Sequence, residues 1–412
     1  MSNELKTHSW PENHWHWPVE LSHQHGVRRG GFIYTGGQAD LSNQGDVVNP
    51  DNLSAQTTNV LQFVEDILID FGSSLSSLLK LVIYFTGDES DEALILDLIA
   101  SRLAQDHQPV VSTICLPALC YPGMRIELEA IAVDTTGANV EAPKFVRSKN
   151  LCELHPHYSH LVIFNSLILT SDFSAIDPSG AVQAPNDVIQ QTSIMMEQLG
   201  KALSLANVTC DDVLKLNVFY EGDGTAQNWE EPARIRASYF SDPGPAATGI
   251  AVTGFANASV KTKISVTARA AQADPQTTQY AWPENHWNWT SPLPYKHGNR
   301  HGNVIHLGGQ VALDLHARVL HPDDIVAQTK IALANINTVL LDLGVTMDDI
   351  VKVTTFYQGS ASAHELHKNL MIRSNAFTNP GPATSGIPVP HLVYKHMMIE
   401  IEVIAIARSS AP

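Results

Sequence analysis

The chain has 412 residues, of which 44% are hydrophobic and 16% charged, and its formal net charge is −17. Such a surface repels phosphate backbones, and with no basic stripe in view nucleic acid is not expected as a partner. No apolar run reaches the roughly 20 residues of a membrane span, so no membrane partner is expected either. The opening segment, Met1 to Trp10, has no apolar stretch behind a basic start and does not read as a secretory signal. Cys115, Cys120, Cys152 and Cys210 show no C-x-x-C spacing, which fits reduced thiols and a cytoplasmic location.

One stretch is written three times. Lys80-Leu-Val-Ile-Tyr-Phe-Thr-Gly87, Lys215-Leu-Asn-Val-Phe-Tyr-Glu-Gly222 and Lys352-Val-Thr-Thr-Phe-Tyr-Gln-Gly359 are β-branched and aromatic runs closed by Gly, each predicting a buried strand with a sharp turn at its end. They lie 135 and 137 residues apart, and Gln56-Thr57, Gln191-Thr192 and Gln328-Thr329 keep that register, as do His25, His160 and His297. The chain therefore reads as three copies of one domain, 1–136, 137–274 and 275–412. The linkers, Thr135-Thr-Gly-Ala-Asn139 and Asp274-Pro-Gln-Thr-Thr278, are short, which predicts domains packed on one another.

In chain order, copy one opens with Trp10-Pro-Glu-Asn-His-Trp-His-Trp17, copy three repeats it at Trp282-Pro-Glu-Asn-His-Trp-Asn-Trp289, and copy two lacks it. Pro and Asn among aromatic and imidazole side chains predict an ordered loop or edge segment. Next, Arg29 to Gln38, Asn165 to Asp172 and His301 to Gln310 read as hairpins leading into a central strand. The pairs Gly36-Gly37 and Gly308-Gly309 let another group approach the backbone, whereas copy two has Ser171-Asp172 there. Apolar residues at three-to-four spacing from Leu53 to Phe71 and from Ile325 to Leu343 predict helices with one stripe on a sheet, stopped by Gly72 and Gly344. A second helix is predicted over Asp91 to about Gln105, Glu231 to Phe240 and His364 to Phe377, and two strands close each copy. The order β-β-α-β-α-β-β predicts an α/β (α+β) two-layer domain with both helices on one face of a sheet.

Some residues invite a functional reading on their chemistry alone. His25, His160 and His297 stand at one register position in every copy, where an imidazole could serve as general acid or base; a turn-stabilising ring bonded to backbone is the structural alternative. Trp15, Trp17, Trp287 and Trp289 either cover a cleft and stack on a planar ring or cap the ends of the assembly. Histidine is dense at His155, His157 and His160 and at His14 and His16, but no fixed ligand spacing such as H-E-x-x-H occurs, so no metal is expected. With no P-loop and no G-x-G-x-x-G in a strand-turn-helix setting, no organic cofactor is expected.

The string Tyr295 to Gln310, the strand Lys352 to Gly359, Gly381-Pro-Ala-Thr-Ser-Gly386 and the ending Ile399-Glu-Ile-Glu-Val-Ile-Ala405 together resemble the Rid family, also called YjgF or L-PSP, of small enamine/imine deaminases. The order and spacing of these motifs extend the resemblance over the whole chain. It implies a chorismate-mutase-like fold that family members assemble into homotrimers with a ligand cleft between neighbours, so three linked copies would form an intramolecular pseudo-trimer, with room for self-association of pseudo-trimers. In the family an Arg after the Pro-Ala of the fourth strand clamps a substrate carboxylate, but Val111, Ala247 and Thr384 stand there in this chain. Arg236 and Arg373, at equivalent places in the second helix, are either replacement cations or surface side chains. The family's last-strand Glu, which positions the attacking water, corresponds to Glu127 and Glu400, with Ser265 assigned to that place in copy two, and Glu129 and Glu402 share the same strand face. The Tyr that closes the cleft from the neighbouring unit corresponds to Tyr158 and Tyr295, with His23 in copy one. Gly37 and Gly309 lie where the family offers backbone groups to its ligand.

The expectation is a hydrolase of a C–N bond, deaminating or ring-opening a small, planar, cyclic or aromatic nitrogen compound. Its catalytic candidates are Glu127, Glu400, His25 and His297; its substrate-binding candidates are Tyr295, Tyr158, His23, Trp15, Trp287, Gly37, Gly309, Thr384 and Arg373. Copy two reads as having lost the catalytic half. A non-catalytic ligand-binding or regulatory protein is the first rival, favoured by the missing Arg. A chorismatase-like hydrolase would need basic residues for two carboxylates, and a ribonuclease is disfavoured by the charge of −17.

Overall fold

The computed structural model describes residues 7–137 and 140–408; the first residues of the opening segment, and Ala138 and Asn139 of the first linker, lie outside the described residues. Domain 1 runs β1 (His8–Ser9), β2 (Gly26–Arg29), β3 (Phe32–Thr35), α1 (Leu53–Asp70), β4 (Leu78–Phe85), α2 (Glu89–Ala100), β5 (Val110–Cys115) and β6 (Ile126–Val133). Domain 2 repeats this as β7 (Lys144–Val146), β8 (Leu161–Phe164), β9 (Leu167–Thr170), α3 (Val188–Ser204), β10 (Val213–Glu221), α4 (Ala226–Ala237), β11 (Ala246–Val252) and β12 (Thr262–Arg269). Domain 3 comprises β13 (Thr278–Ala281), β14 (Gly298–His301), β15 (Val304–Leu307), α5 (Ile325–Asp342), β16 (Ile350–Gln358), α6 (Ala363–Ser374), β17 (Ala383–Val389) and β18 (Ile399–Ile406).

Each domain is one mixed sheet of six strands in the order β1-β2-β3-β6-β4-β5. The repeated strand lies between the closing strand, antiparallel to it, and a parallel edge strand, because the second helix must cross over between β4 and β5. The first helices begin where the side chains of Asn52, Asp187 and Asp324 accept backbone N–H groups of the first turn. Gly72 and Gly344 follow α1 and α5 with φ of 76° and 71°, a conformation glycine adopts without strain. Two readings shift. A short edge strand precedes each hairpin, and α4 begins at Ala226 rather than Glu231, with Pro232 inside it.

The three sheets close into a ring. Gln24 N and Gly37 N of domain 1 donate to Pro382 O (3.2 Å) and Thr384 O (3.0 Å) of domain 3. Lys296 N and Gly309 N of domain 3 donate to Pro245 O (3.1 Å) and Ala247 O (3.0 Å) of domain 2. Ser159 N and Asp172 N of domain 2 donate to Pro109 O (3.2 Å) and Val111 O (3.1 Å) of domain 1. The same bonds made three times in cyclic order give a pseudo-three-fold axis. One apolar cluster, including Phe32, Tyr34, Phe164, Leu169, Val304 and Ile406, joins the three sheets along it. Among the described residues no helix is long and apolar enough to cross a membrane.

Candidate active clefts between the domains

The strand register decides what each cleft receives. Glu127 pairs with Tyr84 and Glu400 with Phe356; the residue that pairs with the equivalent Phe219 is Lys263. Ser265 pairs with Asn217, as Glu129 does with Val82 and Glu402 with Thr354. The assignment of Ser265 to the Glu127 position is therefore corrected. A slip of two residues keeps a side chain on the same sheet face but moves it along the strand. The two carboxylates of each strand also separate, Glu127 and Glu400 into clefts between domains, Glu129 and Glu402 into a cavity on the axis.

Between domains 2 and 3 lies a cavity of about 60 Å3. Glu400 and Gly309 face Thr248 and Arg236 across it, with Trp229 and Trp287 in the walls. Burial pushes the Glu400 carboxyl up to about 8; the nearby Glu402 charge adds to this and Lys215 opposes it. At neutrality the group is mostly protonated and can both give and take a proton. Arg236 is only 4% exposed, so it is no surface side chain, and its Nε and Nη1 have no hydrogen-bond partner among the described residues. A buried guanidinium left this way favours an incoming carboxylate or carbonyl oxygen. Tyr295 reaches over from domain 3, its ring 6.1 Å from that of Phe240 and its hydroxyl beside Arg236.

Between domains 3 and 1 the cavity shrinks to about 20 Å3. Burial again raises a carboxyl, Glu127, to about 8, reinforced by the Glu129 charge and opposed by Lys352 and Arg373. Arg373 is fully buried; its Nε donates to Asn369 Oδ1 and its Nη1 to Thr384 Oγ1, both at 3.0 Å, and Nη2 has no partner. A guanidinium from α6 thus sits against Thr384, the strand position that lacks the family's Arg. The loop before β6 closes over it. The Cys120 thiol donates to Gly386 O at 2.7 Å, and Tyr121 Oη lies 3.2 Å from His367 Nε2.

The cleft between domains 1 and 2 is filled. Lys263 Nζ donates to Glu92 Oε1 (3.2 Å) and to Thr113 Oγ1 (2.9 Å) and O (3.1 Å), while Asp172 Oδ2 accepts Thr113 N (2.8 Å). Burial raises Asp172 and the Lys263 and Lys80 charges oppose it. The glycines explain the pairing of residues. A Cβ on Gly37 or Gly309 would collide with the carboxylate of Glu127 or Glu400. Domain 2 has no carboxylate at that point, so Asp172 fits where Gly37 and Gly309 stand elsewhere.

The remaining candidates divide. His25 and His297 are buried, with Nε2 3.0 Å from the carbonyl oxygens of Trp15 and Trp287. They stack on Trp17 and Trp289 with ring centroids 5.1 and 5.2 Å apart. Burial holds both well down, His297 at about 3, and neither ring lines a cleft. Trp15 and Trp287 do line the clefts, with Nε1 donating to Gln38 and Gln310 at 3.1 Å. Tyr158 crosses into domain 1, where its hydroxyl donates to Leu96 O (3.1 Å), and His23 crosses towards Phe377, held neutral at about 3 by burial and Arg373. Sequence reasoning missed Lys263 and Thr248, although counting register from the repeated strand would have found both. Among the described residues no group of three or more His, Cys, Asp or Glu side chains converges as a metal site.

The sequence profile of the family described as Endoribonuclease L-PSP matches three times, over residues 18–134, 152–270 and 289–407. A RutC family protein of Pyrococcus abyssi is 31% identical over 112 residues, 27% of this chain and 85% of the relative. The 2-iminobutanoate/2-iminopropanoate deaminase of Escherichia coli K12 is 31% identical over 118 residues, 28% of this chain and 88% of the relative. Among solved structures, a chorismatase covers 80% of this chain and 93% of its own at 12% identity with a TM-score of 0.53, a likeness of fold. Three profile matches in tandem, each on one sheet of the ring, show that the chain belongs to the L-PSP (Rid, YjgF) family as three linked domains.

Proposed function

We propose that the protein hydrolyses the C=N bond of a small planar nitrogen compound, and that its working site is the cleft between domains 2 and 3. The observation that carries this reading is the placement of a mostly protonated carboxyl, Glu400, across an aromatic-walled cavity from the unpaired guanidinium nitrogens of Arg236. Arg236 takes a carboxylate or carbonyl oxygen of the substrate, and Trp287 and Trp229 hold its plane. Glu400 gives its proton to the imine nitrogen, which makes the carbon electrophilic; the resulting carboxylate then removes a proton from water as the water oxygen bonds to that carbon. Glu400 passes that proton to the amino nitrogen of the tetrahedral adduct, ammonia leaves as the C–N bond breaks, and the hydroxyl proton returns to the carboxylate, so imine and water become carbonyl and ammonia. An amidine-like C–N bond in a ring would open by the same steps. The deaminase named among the relatives supports the reaction class.

Ammonia release from a panel of cyclic and aromatic imines, amines and amides tests the reading. Glu400→Gln should lower the rate by about 10²-fold, the lower end for losing a general acid–base group, and Glu127→Gln should lower it less than tenfold. A panel with no reacting member, or a Glu400→Gln variant as fast as the parent, would favour a binding protein that kept the fold without the chemistry.

A further inference from the structure

On the pseudo-three-fold axis the three domains enclose a cavity of about 90 Å3, separate from the clefts, and its lining includes Lys80, Lys215 and Lys352 at the same place in the three repeated strands. Each lysine meets the closing strand of another domain. Lys352 Nζ pairs with Glu129 Oε1 at 3.0 Å and also donates to Ser385 Oγ at 2.6 Å. Lys215 Nζ pairs with Glu402 Oε2 at 2.7 Å and donates to Thr248 Oγ1 at 2.6 Å and Leu216 O at 3.1 Å. Lys80 Nζ meets Ser265 instead, at 3.1 Å from Oγ, and no described carboxylate forms an ion pair with it.

The other charges within reach are committed elsewhere: Glu129 and Glu402 to their own lysines, and Asp172 to the backbone of Thr113 on the side of Lys263. A buried ammonium without a counter-ion is costly, and here burial and Lys215 press it down to about 8, against the pull of the carboxylates. Relative to Glu, Ser265 is short by a CH2–COO− unit. The missing piece has the size and charge of an acetate ion.

We propose that the axial cavity binds a small monocarboxylate of about two carbons, which pairs with Lys80 and accepts from Ser265 in the place that Glu129 and Glu402 fill for the other two lysines. The site is distinct from the clefts and does not depend on their chemistry. Thermal unfolding of the full chain in sodium acetate, against sodium chloride at equal ionic strength, tests it. The parent should melt roughly 2–4 °C higher at saturating acetate, as binding to the folded state alone requires. Ser265→Glu, which supplies the tethered carboxylate, should start higher and show no acetate response, and Lys80→Met should show none either. An equal rise in all three proteins would mean a general salt effect and overturn the site. No rise in the parent would overturn it, and rapid carbamylation of Lys80 by cyanate at neutral pH would then identify a neutral amine in its place.

Discussion

The cleft between domains 2 and 3 and the cleft between domains 1 and 2 are made by the same strands in the same register, yet one is a cavity and the other a strut. In the first, Gly309 leaves room for a raised Glu400, and the facing helix supplies Arg236. In the second, Asp172 and Lys263 replace Gly and Glu, and the facing helix supplies Glu92 where the other helices carry Trp229 and Leu366. A few substitutions, coupled by contact, convert a site into a support. Linking the copies in one chain makes this workable, because each cleft has its own coding positions. In a homotrimer every change would fall on all three.

Glu400→Gln has the largest expected effect, the loss of about 10²-fold in ammonia release described above, whereas Lys263→Gln should leave that rate within twofold. On stability the roles reverse. Lys263→Ala leaves Glu92 and Asp172 facing each other without their cation, and because the cluster is partly exposed it should cost about 2–3 kcal/mol, read from the urea midpoint. Lys263→Arg should recover most of it. Next comes Gly309→Ala, whose methyl must push the Glu400 carboxylate aside: overpacking of this kind costs about 1–3 kcal/mol, and the displaced carboxyl should lower turnover as well. A smaller folding cost with unchanged turnover would show that the carboxylate can move freely.

The smallest effect is the pH dependence of stability. Glu127 and Glu400 have folded-state values near 8, raised above the unfolded value of 4.5, so the fold holds protons that the unfolded chain has released. Their contribution is fully present below about pH 4.5 and is lost as pH rises towards 8. Each Gln variant should flatten this fall and be at least about 1 kcal/mol more favoured, relative to the parent, at pH 8 than at pH 5. Parallel curves for parent and variants would mean that the carboxyls are solvated after all.

The triple register of Lys80, Lys215 and Lys352 was legible because a strand buried on both faces must be written in β-branched and aromatic residues, and the repeat spacing carried everything else with it. The Gly pairs and the Glu pairs were legible as positions, and the Trp-rich loops as ordered segments. What stayed hidden was contact. Arg236 and Arg373 lie on helices where a long cation ordinarily reaches solvent, yet both are buried, with Tyr295 and His23 of the neighbouring domain close by. His25 and His297 had the recurrence of a catalytic group, but their surroundings are Trp rings and a backbone carbonyl.

Sequence alone therefore determined three domains of one kind and their order of strands and helices apart from the short edge strand before each hairpin, because periodicity and local propensity act along the chain; the register of Lys263 and Ser265 came from the strand pairing. The tertiary structure decided which residues meet across the domain boundaries: Glu400 with Arg236, Lys263 with Glu92, and Lys80 with a serine instead of a carboxylate. Those outcomes depend on ring closure and on burial, which set pKa values and leave charges paired or unpaired, and neither is written in the spacing of residues along one strand.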